Sequence, residues 1–313
     1  MHSIFQPELD GVTKIRIKQV DAFTTVPHMG NPAGVVLEAK ALSDEQMQVI
    51  ARGMNLPETA FVLPALRADA DLRLRWFTPA AEVPICGHAT VASFHSLAEE
   101  GRLGMARKGK FEFAVESASG VLPVEVAKDE GGCISVMLGL KIPTFERVNH
   151  SRAELVRILN VSQSEFDKRM TILRSDYLLV PVRRLHTLFA MKPNFLLMTN
   201  YLTQYKLRGM CVFTTETIER ESVVHSRFFA PHTGINEDPV TGSAHGPLAV
   251  YLFESGLLNV ENGRCVFQAE QGDAIGRRGR ITVELCVENG KPVSLRIGGR
   301  AVTVLEGEML LAE

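Results

Sequence analysis

Apolar and polar residues alternate along residues 14–23, where Ile15, Ile17, Val20 and Phe23 stand among polar neighbours. That period of two predicts an opening strand. His28-Met29-Gly30-Asn31-Pro32-Ala33-Gly34 follows as a dense turn signal, and Val35, Val36 and Leu37 read as a second strand. Ser43 and Gln46 have the spacing of a capping box, and Met47, Ile50, Ala51 and Met54 continue behind them as the apolar face of a helix. Residues 57–62, 72–77, 110–115 and 121–126 read as further strands. Helical spacing returns at 154–167, and 177–182 reads as a strand, although the region 151–207 holds no chemical motif. The chain closes with strands at 281–287, 293–297 and 301–305, with turns at Asn289-Gly290 and Gly298-Gly299.

The pattern also repeats. Arg75-Trp76-Phe77-Thr78-Pro79 aligns with Arg227-Phe228-Phe229-Ala230-Pro231, 152 residues later. Glu82-Val83-Pro84-Ile85-Cys86-Gly87-His88-Ala89 aligns with Glu237-Asp238-Pro239-Val240-Thr241-Gly242-Ser243-Ala244, 155 later. Each copy runs from a strand through a proline-containing loop and a Gly-Xaa-Ala turn into a helix, which stops at Gly101 or Gly256. Register is kept on both sides of one loop that differs by three residues, which indicates a duplication. The expected organisation is an N-terminal lobe over 1–125 and a C-terminal lobe over 126–300, with the last strand, 301–313, returning to the first lobe.

Composition narrows the function. The 313 residues carry 34 Lys plus Arg against 36 Asp plus Glu, a net charge of −2, so neither nucleic acid nor an anionic membrane is an expected partner. The longest apolar stretch, 177–191, is cut by Arg183 and Arg184 and is too short to span a bilayer. Residues 1–6 lack a basic segment followed by an apolar run, so no secretory leader is expected. Five scattered cysteines without CxxC spacing argue against disulfides or a zinc knuckle and fit a reducing cytoplasm. No histidine pair has metal-ligand spacing and no nucleotide-binding glycine loop is present, so no metal and no cofactor is expected.

Two equivalent turns in a duplicated chain are expected to face each other across a pseudo-twofold axis. Their exposed backbone N–H groups would then cradle a carboxylate. Where the copies differ, the differences are chemical: Cys86 against Thr241, His88 against Ser243, Val83 against Asp238, and Thr90 against His245. A threonine hydroxyl is too weak an acid to replace a thiol, which removes a two-thiol racemase mechanism. Cys86 reads either as a small buried residue or as a nucleophile. His88 reads as functional or as a capping or surface residue, Asp238 as functional or as an N-cap, and Ser243 as a hydroxyl donor or a cap. Glu58 is either a solvated turn residue or, against apolar walls, a proton shuttle with a raised pKa.

Val20-Asp21-Ala22-Phe23-Thr24, Gly30-Asn31-Pro32-Ala33, Pro57-Glu58-Thr59-Ala60-Phe61, Cys86-Gly87-His88-Ala89-Thr90 and residues 237–244 occur in the order in which they occur in the PhzF-type phenazine-biosynthesis family, which this chain resembles from about Val20 to Gly307. The resemblance implies an α+β fold like that of diaminopimelate epimerase: two pseudo-symmetric lobes, each a curled mixed sheet around a central helix, with the site between them. It implies a cofactor-free homodimeric isomerase. Glu58 falls on the family's catalytic acid/base, and His88 and Asp238 on polar residues flanking the substrate. Gly87, Gly242 and Ser243 fall on the two helix starts, and Asn31 joins them as a substrate-binding residue. The expected substrate is a small cyclic, amino or hydroxy carboxylate. The alternative is a non-catalytic binding or adaptor protein on the same fold.

Overall fold

The alternation at 14–23 becomes the strand Val12–Ala22, with Ile15, Ile17, Val20 and Ala22 buried. Residues 12–147 and 152–312 of the computed structural model are described here; the run 1–6, Ser151 and Glu313 lie outside them. The helices are α1 (Asp44–Met54), α2 (Gly87–Glu99), α3 (Arg152–Leu159), α4 (Leu185–Ala190), α5 (Phe195–Gln204) and α6 (Gly242–Glu254). The capping box forms at α1: the Gln46 amide donates to Ser43 Oγ and the Ser43 amide to Gln46 Oε1.

The duplication is written into the strand pairing. In the first half, Asn31–Val36 runs parallel to Glu58–Leu63, which is antiparallel to Leu72–Phe77. That strand runs parallel to Gly109–Ser117, and two antiparallel steps through Gly120–Lys128 reach Ile134–Leu140. The second half repeats these orientations through Tyr177–Pro181, Gly209–Thr214, Ser222–Ala230, Arg264–Gln271, Gly279–Glu288 and Lys291–Gly299. The final strands of the two halves, Ile134–Leu140 and Lys291–Gly299, pair antiparallel and join everything into one hydrogen-bonded network. Ala301–Ala312 then pairs antiparallel along Val12–Ala22. Residues 125 and 126, the expected division, lie inside Gly120–Lys128.

Each half wraps its sheet around one helix. In α2 every residue from His88 to Ala98 is buried, and in α6 every residue from Ala244 to Leu252, as expected of helices enclosed on all sides. The hydroxyls of Thr90, Ser93 and Ser96 are tolerated there because each donates to the carbonyl four residues earlier. Gly101 and Gly256 end the two helices with positive φ, 66° and 70°.

The copies share two devices that spacing alone did not reveal. Arg75 donates twice to Glu82, at 2.8 and 2.7 Å, and Arg227 does the same to Glu237 at the same distances. Each guanidinium also covers the phenylalanine two residues on, Phe77 at 5.1 Å and Phe229 at 5.0 Å. This clamp spans the loop in which the copies differ in length, which is how register survives the difference. Likewise Glu116 accepts from the Leu66 and Arg67 amides, and Glu270 from those of Ile218 and Glu219.

Three sequence expectations change. The turn signal at 28–34 ends earlier: Asn31 already opens the strand Asn31–Val36, pairing with Ala22. The helix expected at 154–167 stops at Leu159, because Asn160 turns left-handed (φ 54°); only the single turn Gln163–Glu165 follows. Gly298-Gly299 is strand rather than turn. A Cβ on Gly298 would sit 1.9 Å from the Val136 carbonyl oxygen, so glycine permits the close approach of the two halves.

Candidate active site

The first turns of α2 and α6 meet where the halves join. A Cβ built on Gly87 would lie 3.8 Å from the Ser243 amide nitrogen, and Ile297 packs behind both glycines. On Gly242 the same Cβ would come within 2.9 Å of both Ile297 Cδ1 and Phe23 Cζ, so only glycine fits without displacement. Two positive helix ends therefore point into one small region.

Glu58 opens the strand Glu58–Leu63, and its side chain is only 15% exposed. Its Oε2 lies 3.3 Å from Nε2 of His88, a nitrogen with no hydrogen-bond partner among the described residues. Burial, together with the nearby Asp238 charge, pushes the Glu58 carboxyl up to about 8, a shift that contact with the Cys86 thiol partly opposes. Burial pushes the His88 imidazole down to about 4, so at neutral pH it is uncharged. His88 is thus neither a surface residue nor a cap, and Glu58 is not a solvated turn residue.

Asp238 ends the strand Ile235–Asp238, and the N-cap of α6 is Thr241, so the capping alternative for Asp238 is removed. Asn31 Nδ2 donates to Asp238 Oδ1 at 2.8 Å and to the Val240 carbonyl at 2.8 Å, while the Thr241 hydroxyl donates to Asp238 Oδ2. Burial holds the Asp238 carboxyl above its ordinary value, a shift that the Thr241 and Asn31 donors partly oppose. Among the described residues Glu58 has no such donor from the main chain or an amide, only the Cys86 thiol. When the pair shares one negative charge, Asp238 holds it and Glu58 holds the proton.

Cys86 is the N-cap residue of α2, with Sγ 3.4 Å from His88 Nδ1. A helix N-terminus lowers a thiol pKa in a polar setting. Here burial and the Glu58 carboxyl dominate and hold the thiol well above its usual 9. Cys86, His88 and Glu58 each offer a donor atom within 4.8 Å of the others, close enough to share a small cation. A cation there would have to displace the protons that Glu58 and Cys86 hold at neutral pH.

Ser243 turns away from this cluster. Its hydroxyl lies 2.9 Å from the Tyr177 hydroxyl and lines a cavity of about 960 Å³ with Ile85, Tyr177, Arg208 and Pro247. Pro247 has no N–H for the Ser243 carbonyl four residues back, so that acceptor is left without its helical donor. Glu58, His88 and Asp238 do not line this cavity. Glu58, His88 and Cys86 are thus brought together, Asp238, Asn31 and Thr241 beside them, and Ser243 stands at the boundary with the larger space.

Tyr177 was missed because it lies in the region 151–207, where no motif draws attention to it. Gln271 was missed too: it bonds the Asp238 carbonyl and the Thr241 amide, holding the loop that carries Asp238. Its only sequence signal is its place at the end of a strand beside the second repeat.

The family model described as phenazine biosynthesis-like protein (PhzC-PhzF) matches residues 20–307. An uncharacterized isomerase of Clostridium acetobutylicum is 37% identical over 96% of this chain and 99% of its own. The uncharacterized isomerase YfhB of Bacillus subtilis is 34% identical over 91% and 95%. Among solved structures, a Bacillus anthracis phenazine biosynthesis protein of the PhzF family superposes with a TM-score of 0.85 at 31% identity, covering 96% of this chain and all of that one. A hydroxyproline epimerase of Agrobacterium vitis shares the fold at a TM-score of 0.61 and 13% identity, over 96% and 93%. Among the described residues no helix is long and apolar enough to cross a membrane.

Proposed function

The chain belongs to the phenazine biosynthesis-like family, and from that membership we propose that it is an isomerase that moves a proton between carbons of a small carboxylate, with Glu58 as its single acid and base. The observation that carries this reading is the Glu58 carboxyl, buried against a neutral His88 with a pKa of about 8. A general acid/base works best when its pKa lies near the working pH, because both of its forms are then accessible. Cys86 is a poorer base, since its thiol stays protonated, and the opposite turn offers Thr241 instead of a second thiol.

In this mechanism the substrate carboxylate rests against the facing starts of α2 and α6, at Gly87, Gly242 and Ser243, where helix dipoles favour its charge. The Glu58 carboxylate takes the proton from the adjacent carbon. Charge that develops as an enolate is met by the two helix starts and by a hydrogen bond from neutral His88, while Asp238, whose position Asn31 and Thr241 fix, accepts a hydrogen bond from a donor group of the substrate. Glu58 then returns the proton to another carbon of the same molecule. The remainder of the substrate extends past Ser243 toward Tyr177. The same reading has the chemistry proceed without a cofactor, in a cytoplasmic homodimer.

Deprotonated Glu58 starts the cycle, so kcat/KM for exchange of a carbon-bound proton in heavy water is expected to rise with pH and level off above about 8. Cyclic hydroxy and amino acids are the panel in which to find the substrate. A flat profile from about pH 6.5 to 9.5, or one that falls with pH, would contradict Glu58 as the base.

A further inference from the structure

A second cavity, of about 480 Å³, shares no lining residue with the one at Ser243. Arg280 and Thr282, alternate residues at the start of the strand Gly279–Glu288, line it with Arg278 just before that strand and Arg300 between the strands Lys291–Gly299 and Ala301–Ala312. Among the described residues Glu219 is the only carboxylate in the lining. Arg280 is paired with Asp273 at 3.0 Å and Glu219 at 2.9 Å, but its Nε is buried and has no acceptor among the described residues. Arg278 and Arg300 are exposed and have no carboxylate partner among the described residues.

The main chain of all three arginines is fixed by the loop that leads to Asn31. The Gly30 amide donates to the Arg278 carbonyl at 3.0 Å, the Arg280 amide to the Phe23 carbonyl at 2.8 Å, and the Thr24 amide to the Arg300 carbonyl at 3.2 Å. Phe23 itself sits in the left-handed region (φ 63°), with its ring in this cavity's wall and against Gly242. Arg280 is held by its two carboxylates with its Nε still free to donate, and the uncompensated guanidinium groups of Arg278 and Arg300 beside it can bind a multivalent oxyanion with little reorganisation of the frame.

We propose that this cavity is a second binding site, for a small molecule bearing closely spaced phosphate or carboxylate groups. Thermal unfolding with inorganic pyrophosphate or citrate at about 5 mM, against sodium chloride of matched ionic strength, tests it. The expected result is a saturable rise of about 3–6 °C with at least one probe, retained in Lys141→Gln, a cation that lines the cavity at Ser243 instead, and lost in the double variant Arg278→Gln/Arg300→Gln. The larger of the two shifts tells whether phosphate or carboxylate is preferred. Both double-variant positions are exposed, so its unfolding in chloride is expected to match the wild type. No saturable shift with either probe, or a shift of equal size in the double variant, would overturn the proposal.

Discussion

Glu58→Gln is expected to be more stable than the wild type at pH 9 and equal to it near pH 4.5. The folded protein holds the Glu58 proton up to about 8 against an ordinary value of 4.5. A raised carboxyl pKa means that the folded state binds the proton more tightly. The stability linked to that proton is complete below about 4.5, declines as pH rises through the window, and is gone above about 8. Glutamine keeps the neutral shape and has no proton to lose. The difference at pH 9 should be on the order of 3–5 kcal/mol, a rise of about 5–10 °C in Tm. Calorimetry of both proteins between about pH 4.5 and 9 checks it. Parallel curves would mean that Glu58 ionises as a solvated glutamate does.

The second large effect concerns the duplicated clamp. Arg227 lies buried on Glu237, whose side chain is 11% exposed, and also donates to the Leu188 and Met191 carbonyls. Arg75 meets Glu82 and Asp44, which are 36% and 71% exposed. Removing Arg227 leaves a buried carboxylate and two carbonyls without donors, whereas removing Arg75 leaves groups that water can reach. Arg227→Met is therefore expected to cost about 3–5 kcal/mol and Arg75→Met about 1 kcal/mol. Adding Glu237→Gln to Arg227→Met should recover part of the loss. Urea unfolding of the set measures this, and equal costs for the two arginines would contradict the difference in burial.

The duplication could be read from the chain because side chains at fixed offsets bear it: arginine, glutamate and the helix-start glycines recur in register. The capping box at Ser43 and Gln46 was legible for the same reason, as a purely local pattern. The Asn31 hydrogen bond to Asp238 was not, since it joins residues 207 apart. No period or spacing encodes that pairing; it arises only when two halves close on each other. The glycine pair at 298–299 misled because glycine serves equally for a turn and for close sheet contact, and only the partner strand decides which. The boundary at 160 was hidden since Leu159, Val161 and Phe166 continue an apolar pattern after the backbone has left the helix. Residues 151–207 carry Tyr177, beside Ser243, on an otherwise apolar strand that composition cannot distinguish from core.

A single carboxylate that both removes and returns a carbon-bound proton is the centre of this account. The measurement closest to it is mass-detected deuterium uptake by candidate carboxylates in heavy water, run side by side with wild type, Glu58→Gln and Cys86→Ser. General acid–base catalysis supplies roughly 10²–10⁴-fold, so exchange should fall by that factor in Glu58→Gln, with ligand binding retained, and persist in Cys86→Ser. Exchange that survives Glu58→Gln and disappears in Cys86→Ser would place the base on the thiol, and a wild-type protein that binds the carboxylate without exchanging any carbon-bound proton would be a binding protein rather than an isomerase.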